Sequence, residues 1–206
     1  MIDSRKKLDF YLKADEIMNE QVFPKGFRKL IDYNHTLIRR FLRCMRWLEY
    51  VSSKYKTNKM FLSLKLFYSY KYHRLAAKTG FDIPINTFGY GVRIGHLSNI
   101  VINGAVKIGN YCEIQNNITI ADGCSKKIGN NVSISSNVVI AKEISIADGC
   151  TISSCSFLNC NCLIGNTLWG GVKAKPIKEC NPWTAEEPYY SEWMRCENLR
   201  NKMGLV

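Results

Sequence analysis

Isoleucine recurs every six residues at Ile102, Ile108, Ile114 and Ile120, then again at Ile128, Ile134, Ile140, Ile146 and Ile152. Between the two runs, and just before the first, from Ile94 to Ile102, the step widens to eight. One of the chain's three histidines, His96, lies inside that first wide step. A neutral imidazole accepts a proton near physiological pH, so a histidine on an outward corner is a candidate general base for activating a hydroxyl. His35 and His73 fall in stretches of helical spacing, where a hydrogen-bonded structural role is expected. The nine cysteines are irregularly spaced. Cys155, Cys160 and Cys162 lack both a paired C-x-x-C and a histidine, so no metal site is expected.

The elements that position His96 follow from the period. A helix favours apolar steps of three and four, and an ordinary strand a step of two. A step of six fits a coil of very short strands, each flat face contributing one inward aliphatic before the chain turns a corner. Three hexads close one triangular turn, giving roughly five turns at ~4.8 Å each. Cys112 and Cys150 share a second inward position with Val106, Ile118, Val132, Val138 and Ile144, and read as small buried hydrophobes. Gly, Asn, Asp and Ser fill the corners, where residues that tolerate a left-handed backbone are needed. The repeat starts at about Ile83 and runs to about Gly171.

Charge separates this neutral coil from what precedes it. Of a net charge of +12, residues 1–80 carry 18 Lys and Arg against 7 Asp and Glu, while residues 81–206 carry 11 against 10. Residues 4–19 have helical spacing behind a cap at Ser4, and Pro24 and Gly26 break it. A stronger amphipathic segment places Leu37, Phe41, Met45, Leu48 and Val51 on one side, with Arg39, Arg40, Arg43 and Arg46 around the other. A third runs over about 59–78, from Met60 through Leu64, Phe67 and Leu75, and stops at Gly80. These helices are expected to cap the coil, with basic faces turned toward anionic lipid head groups. The C-terminal part reads as an extended segment and a short helix near 191–202, its aromatics packing back on the coil. No apolar run approaches the ~18 residues of a membrane span, and no signal sequence is seen. A cytoplasmic protein is expected, peripheral at the inner membrane face. Nucleic acid is not an expected partner, because no reading motif accompanies the charge.

The stretch Val92-Arg93-Ile94-Gly95-His96-Leu97-Ser98-Asn99-Ile100-Val101-Ile102-Asn103-Gly104 resembles the active-site segment of hexapeptide-repeat O-acetyltransferases related to serine acetyltransferase. The string Gly170-Gly171-Val172-Lys173-Ala174-Lys175 resembles the Gly-x-Pro-Ala-Lys signature that ends such domains, with Lys173 where the family has Pro. The resemblance implies a mainly β fold, a left-handed parallel β-helix with an α-helical N-terminal extension and a short C-terminal tail. The expected boundaries are 1–80, 81–175 and 176–206. It further implies acetyl-CoA as co-substrate, His96 as general base, and coenzyme A lying along the coil past Ser136 and Ser154 toward Lys173 and Lys175. It implies a homotrimer as well. The two wide steps leave different edges of the prism, so His96 of one chain is expected to face the Ala121–Lys127 loop of the next.

Departures from serine acetyltransferase bear on the acceptor. Gly95 stands where those enzymes have Asp, no second histidine occurs in Ala121–Lys127, and the terminal isoleucine that docks cysteine synthase is missing. The basic leader resembles that of acetyltransferases of bacterial surface-polysaccharide synthesis. The expected acceptor is therefore a sugar hydroxyl of a polysaccharide precursor, free or lipid-linked. Serine O-acetylation is the alternative within the enzyme class, and a non-catalytic scaffold with a membrane-docking leader is the alternative outside it.

Overall fold

The computed structural model describes residues 1–121 and 126–205. Four helical segments come first: α1 (Arg5–Met18), the single-turn α2 (Arg28–Ile31), α3 (Tyr33–Thr57) and α4 (Leu62–Thr79). Ser4 caps α1, its Oγ accepting from the Lys7 amide at 3.2 Å. Gly80 ends α4 at φ 74°, in the left-handed region that glycine occupies without penalty. Both termini are as the sequence predicts.

From Phe81 the chain winds into a parallel coil of about five turns with three flat faces. The first face stacks Phe81–Asp82, Ile100–Ile102, Ile118–Ile120, Val139–Ile140 and Phe157–Leu158. The second stacks Lys107–Ile108, Lys127–Ile128 and Ser145–Ile146, with bridges from Phe88 and to Cys162 at its ends. The third stacks Arg93–Ile94, Glu113–Ile114, Ser133–Ile134, Thr151–Ile152 and Thr167–Gly170. Register is kept residue by residue, Ile94 pairing with Ile114, Ile114 with Ile134, Ile134 with Ile152, and Ile152 with Trp169. The isoleucines of the six-residue period are buried along the axis, as are Cys112 and Cys150. Each fully buried isoleucine contributes about 1.5–3 kcal/mol relative to exposure, so the period is also the main source of cohesion. Burial pushes the Cys112 thiol up to about 12, in keeping with its role as a core hydrophobe. Asn117, Asn131, Asn137 and Asn166 occupy corners at φ 51–54° or 59°. Tyr111 takes the same strained conformation at φ 55°. Its hydroxyl donates to Glu197 at 2.5 Å and its ring packs against Tyr90 and Trp193, contacts that hold the corner.

At the N-terminal end α3 and α4 close the coil. The Phe41 ring lies 5.1 Å from both Tyr72 and Phe81, joining the two helices to the first turn, and the Tyr72 hydroxyl donates to the Ile83 carbonyl. Leu37, Phe41, Met45, Leu48 and Val51 are buried as the sequence predicts. Arg46 is not on the solvent side with Arg40 and Arg43. It is fully buried, donating to Asp15 at 2.7 Å, Glu49 at 3.1 Å and the Phe88 carbonyl at 3.1 Å. Burial alone would favour a neutral guanidine, but the two carboxylates outweigh it and hold the group charged. The third helix also departs from expectation. Tyr72 and Leu75 pack inward, whereas Met60, Leu64 and Phe67 are exposed, on a face that no described residue covers.

After the third face a strand at Lys175–Glu179 turns back antiparallel to Thr167–Gly170, and α5 (Tyr189–Lys202) packs on α1. Glu192 on α5 is 2% exposed, and neither of its oxygens meets full hydrogen-bond geometry. Burial lifts its pKa above the ordinary carboxylate range, only in part offset by Gln21, Arg93 and Arg195. Between the ordinary carboxylate pKa and the raised one, the folded state therefore holds a proton that the unfolded chain has lost. Stability falls as pH rises through the ordinary carboxylate range toward the raised value. Glu192→Gln removes that fall, so thermal melts are expected to show the variant more stable than the parent at about pH 7 and level with it near pH 4, where an ordinary glutamate is largely protonated.

Candidate active site

The third and first faces meet at an edge that every turn of the coil crosses. Counting two residues on from the paired positions Ile94, Ile114, Ile134 and Ile152 gives a column along that edge: His96, Asn116, Ser136 and Ser154. With ~4.8 Å between turns, His96 and Ser154 stand roughly 14 Å apart along the axis. The His96 side chain is exposed, and its ring makes no hydrogen bond to any described residue. The backbone beneath it is fixed. The Gly95 amide donates to the Ile114 carbonyl at 3.1 Å, and Ile100 donates to Gly80 at 3.2 Å. The wide step between these two anchors makes a short outward loop, with Leu97 partly packed on the core.

At Gly95 an added side chain would compete only with the end of the flexible Gln115 side chain. A Cβ there would lie 2.4 Å from Gln115 Oε1, so the Gln115 amide fills the space next to the His96 backbone. The rest of the edge is tied lengthwise. Ser98 Oγ donates to Asn117 Oδ1 at 2.6 Å, Asn117 Nδ2 to Asn137 Oδ1 at 3.0 Å, and Ser136 Oγ to Asn116 Oδ1 at 2.5 Å. These asparagine contacts were not singled out from sequence. The signal was present in the equal spacing of residues 96, 116 and 136.

The other predicted residues fall on or near the same edge. Ser136 is half-buried and Ser154 exposed. Lys173, at φ 67°, follows the bridge between Val172 and Phe157, and Lys175 starts the antiparallel strand opposite Gly170. Both lysines are exposed at the C-terminal end of the edge. The five predicted residues thus lie along one side of the coil, the imidazole at one end and the lysines at the other. His35 has a structural role: its Nδ1 lies 2.7 Å from Asp32, the residue that caps α3. Among the described residues no group of His, Cys, Asp and Glu has the arrangement of a metal site.

The second wide step leaves a different edge, between the first and second faces, as the count of hexads predicts. Its base is closed by Lys126 Nζ donating to the Ala121 carbonyl at 2.7 Å. Residues 122–125, the middle of the loop expected to meet His96 of a neighbour, lie outside the described residues.

No protein-family model matches this chain, and no curated protein matches its sequence. Solved structures do match its fold. Serine acetyltransferase of Neisseria gonorrhoeae superposes with a TM-score of 0.64 over 88% of this chain and 71% of that one, at 18% identity. Serine acetyltransferase of Brucella abortus gives 0.64 over 85% and 71%, at 20% identity. A serine acetyltransferase solved in complex with CoA gives 0.56 over 82% and 68%, at 18% identity. At these identities the likeness is one of architecture: the chain has the left-handed parallel β-helix fold, with helices before and after it, that those enzymes share.

Proposed function

We propose that this protein is an acetyl-CoA-dependent O-acetyltransferase with His96 as its general base. The observation that carries the reading is the single edge that runs from an exposed imidazole past Asn116, Ser136 and Ser154 to Lys173 and Lys175. It lies on a fold shared with serine acetyltransferases, one of them solved with CoA. The His96 imidazole takes the proton of the acceptor hydroxyl as its oxygen attacks the thioester carbonyl. A carbon–oxygen bond forms, the tetrahedral intermediate collapses, the carbon–sulfur bond breaks, and the imidazolium returns the proton to the leaving thiolate. The pantetheine arm runs along the small corner side chains, and the lysines meet its phosphates. In this reading residues 81–175 carry out transfer, 1–80 cap the coil and bring it to the inner face of a membrane, and 176–206 brace both.

In a homotrimer, the common closed symmetry for flat-sided subunits, the edge of one chain faces a neighbour, which completes the acceptor side. The acceptor we favour is a sugar hydroxyl of a surface-polysaccharide precursor. Gly95 stands where serine acetyltransferases carry an acidic residue, and the Gln115 amide occupies the room beside His96. Serine is the second reading, favoured by the names of the matching structures. Titrating acetyl transfer against serine, nucleotide sugars and glycolipids decides between them, and rapid turnover of serine rejects the sugar.

One further outcome concerns the coenzyme. Ser154→Trp places a bulky ring on an exposed corner without touching the core. It is expected to raise the KM for acetyl-CoA about tenfold or more, a loss of ~1.4 kcal/mol of binding, with a smaller effect on kcat. An unchanged KM would take the coenzyme off this edge.

A further inference from the structure

We infer that the groove between α3 and α4 is a docking site for the phosphate head groups of an anionic phospholipid surface, and that the apolar N-terminal half of α4 enters the lipid interface beside it. The inference rests on the membrane-peripheral part of the function proposed above and is independent of acetyl transfer. The groove encloses about 480 Å³. Its floor is the stacked pair Trp47 and Tyr68, ring centroids 5.5 Å apart and planes within 3°. Arg40 and Arg43 rise from α3 on one side; Lys71, Arg74 and Lys78 rise from α4 on the other. All five are exposed, and among the described residues none is paired with a carboxylate.

Like charges three and four residues apart on a helix repel one another. Elsewhere in the leader the arginines Arg5, Arg39 and Arg46 do have acidic partners. A groove from which every acid is absent is arranged for an anion supplied from outside. Guanidinium forks match the several oxygens of a phosphate.

The source of that phosphate is indicated by the same face of α4. Leu64, Phe67, Lys71, Arg74 and Lys78 follow one another at steps of three and four, so they form a single stripe along the helix. Leu64 is 46% exposed and Phe67 57%, and Met60 at the tip of the hairpin is 85% exposed. Lys59 and Lys65 flank this tip, each ammonium over the Tyr55 ring. A soluble phosphate would account for the cations and leave the apolar stripe uncovered. An amphiphile accounts for both halves, with charge at the head-group level and side chains at the acyl boundary. None of the described helices is long and apolar enough to cross a membrane, so the contact lies in the plane of the interface.

The test is sedimentation of the full chain with phosphatidylcholine vesicles and with vesicles containing about one-third phosphatidylglycerol, at low and high salt, together with its oligomeric state and its acetyl-transfer activity. The expected result is binding to the anionic vesicles only, weakened by salt. Arg43→Glu with Arg74→Glu, and separately Leu64→Asp with Phe67→Asp, should each reduce binding about tenfold or more with unchanged melting. If the charge reversal disturbs folding, Arg40→Gln with Lys78→Gln is the milder version, with a smaller loss in the same direction. Three results overturn the inference: no binding to anionic vesicles; binding that survives both pairs of substitutions; or inorganic pyrophosphate bound in the groove by calorimetry while vesicles are ignored. A change of oligomeric state in the Leu64→Asp, Phe67→Asp protein also overturns it, assigning the face to a second copy of the chain. Vesicle binding without any acetyl transfer would instead sink the proposed activity and leave this docking site standing.

Discussion

His96→Ala is expected to lower acetyl transfer roughly 10²–10⁴-fold, the usual contribution of a positioned general base, while the melting temperature stays unchanged. The second half of that expectation comes from the structure. The ring is exposed and bonded to no described residue, so its loss leaves neither a cavity nor an orphaned partner. Thiol release from acetyl-CoA, followed with serine and with nucleotide sugars as acceptors, reads the first half; thermal melting reads the second. His73→Ala is the control. That ring lies on exposed α4, 5.7 Å from Tyr72, and its removal should leave transfer intact. Equal activity of His96→Ala and the parent would return the coil to the role of a scaffold.

The largest effect on stability is expected at Arg46. Arg46→Ala leaves the Asp15 and Glu49 carboxylates buried with no cation between them. Removal of one partner from such a buried set typically costs about 3–5 kcal/mol. The loss extends beyond the ion pairs, because Arg46 also donates to the carbonyls of Phe88 and Gly89, and Asp15 and Glu49 accept from the Val92 and Asn86 amides at 3.1 and 2.7 Å. These bonds join α1, α3 and the first turn of the coil. Equilibrium denaturation of Arg46→Ala should show the loss, and Arg46→Ala combined with Asp15→Asn and Glu49→Gln should recover part of it by discharging the stranded acids. An effect under ~1 kcal/mol, the range of exposed ion pairs, would reject the burial argument.

Arg46 also shows where sequence reading stops. Its neighbours Arg39, Arg40 and Arg43 suggest a basic solvent face, and three of the four are outside the core. What sets Arg46 apart is an acid 31 positions earlier and two carbonyls more than 40 positions later, a juxtaposition created by the fold. The coil is legible for the opposite reason. Each turn repeats the last, so the six-residue period specifies faces, core and corners with no knowledge of distant partners. The column through His96 is legible too, because equal register carries residue 96 onto 116 and 136. The exposed stripe at Leu64 and Phe67 was not, since periodicity identifies an apolar face without saying what covers it. Tyr111 at a corner suited to asparagine is likewise explained only by Glu197 and Trp193, contributed from α5 far along the chain.

The strand at Lys175–Glu179 has a consequence for how these molecules meet one another. Parallel rungs form a template that a second molecule could extend from either end. Here the last rung of the third face runs in the opposite direction, carries Pro176, and has Lys175 and Lys178 exposed. An incoming rung would lose a donor at the proline and meet a row of positive charge. Growth by end-on addition is thereby stopped at that pole, so concentrated solutions should yield discrete particles joined through their sides rather than filaments.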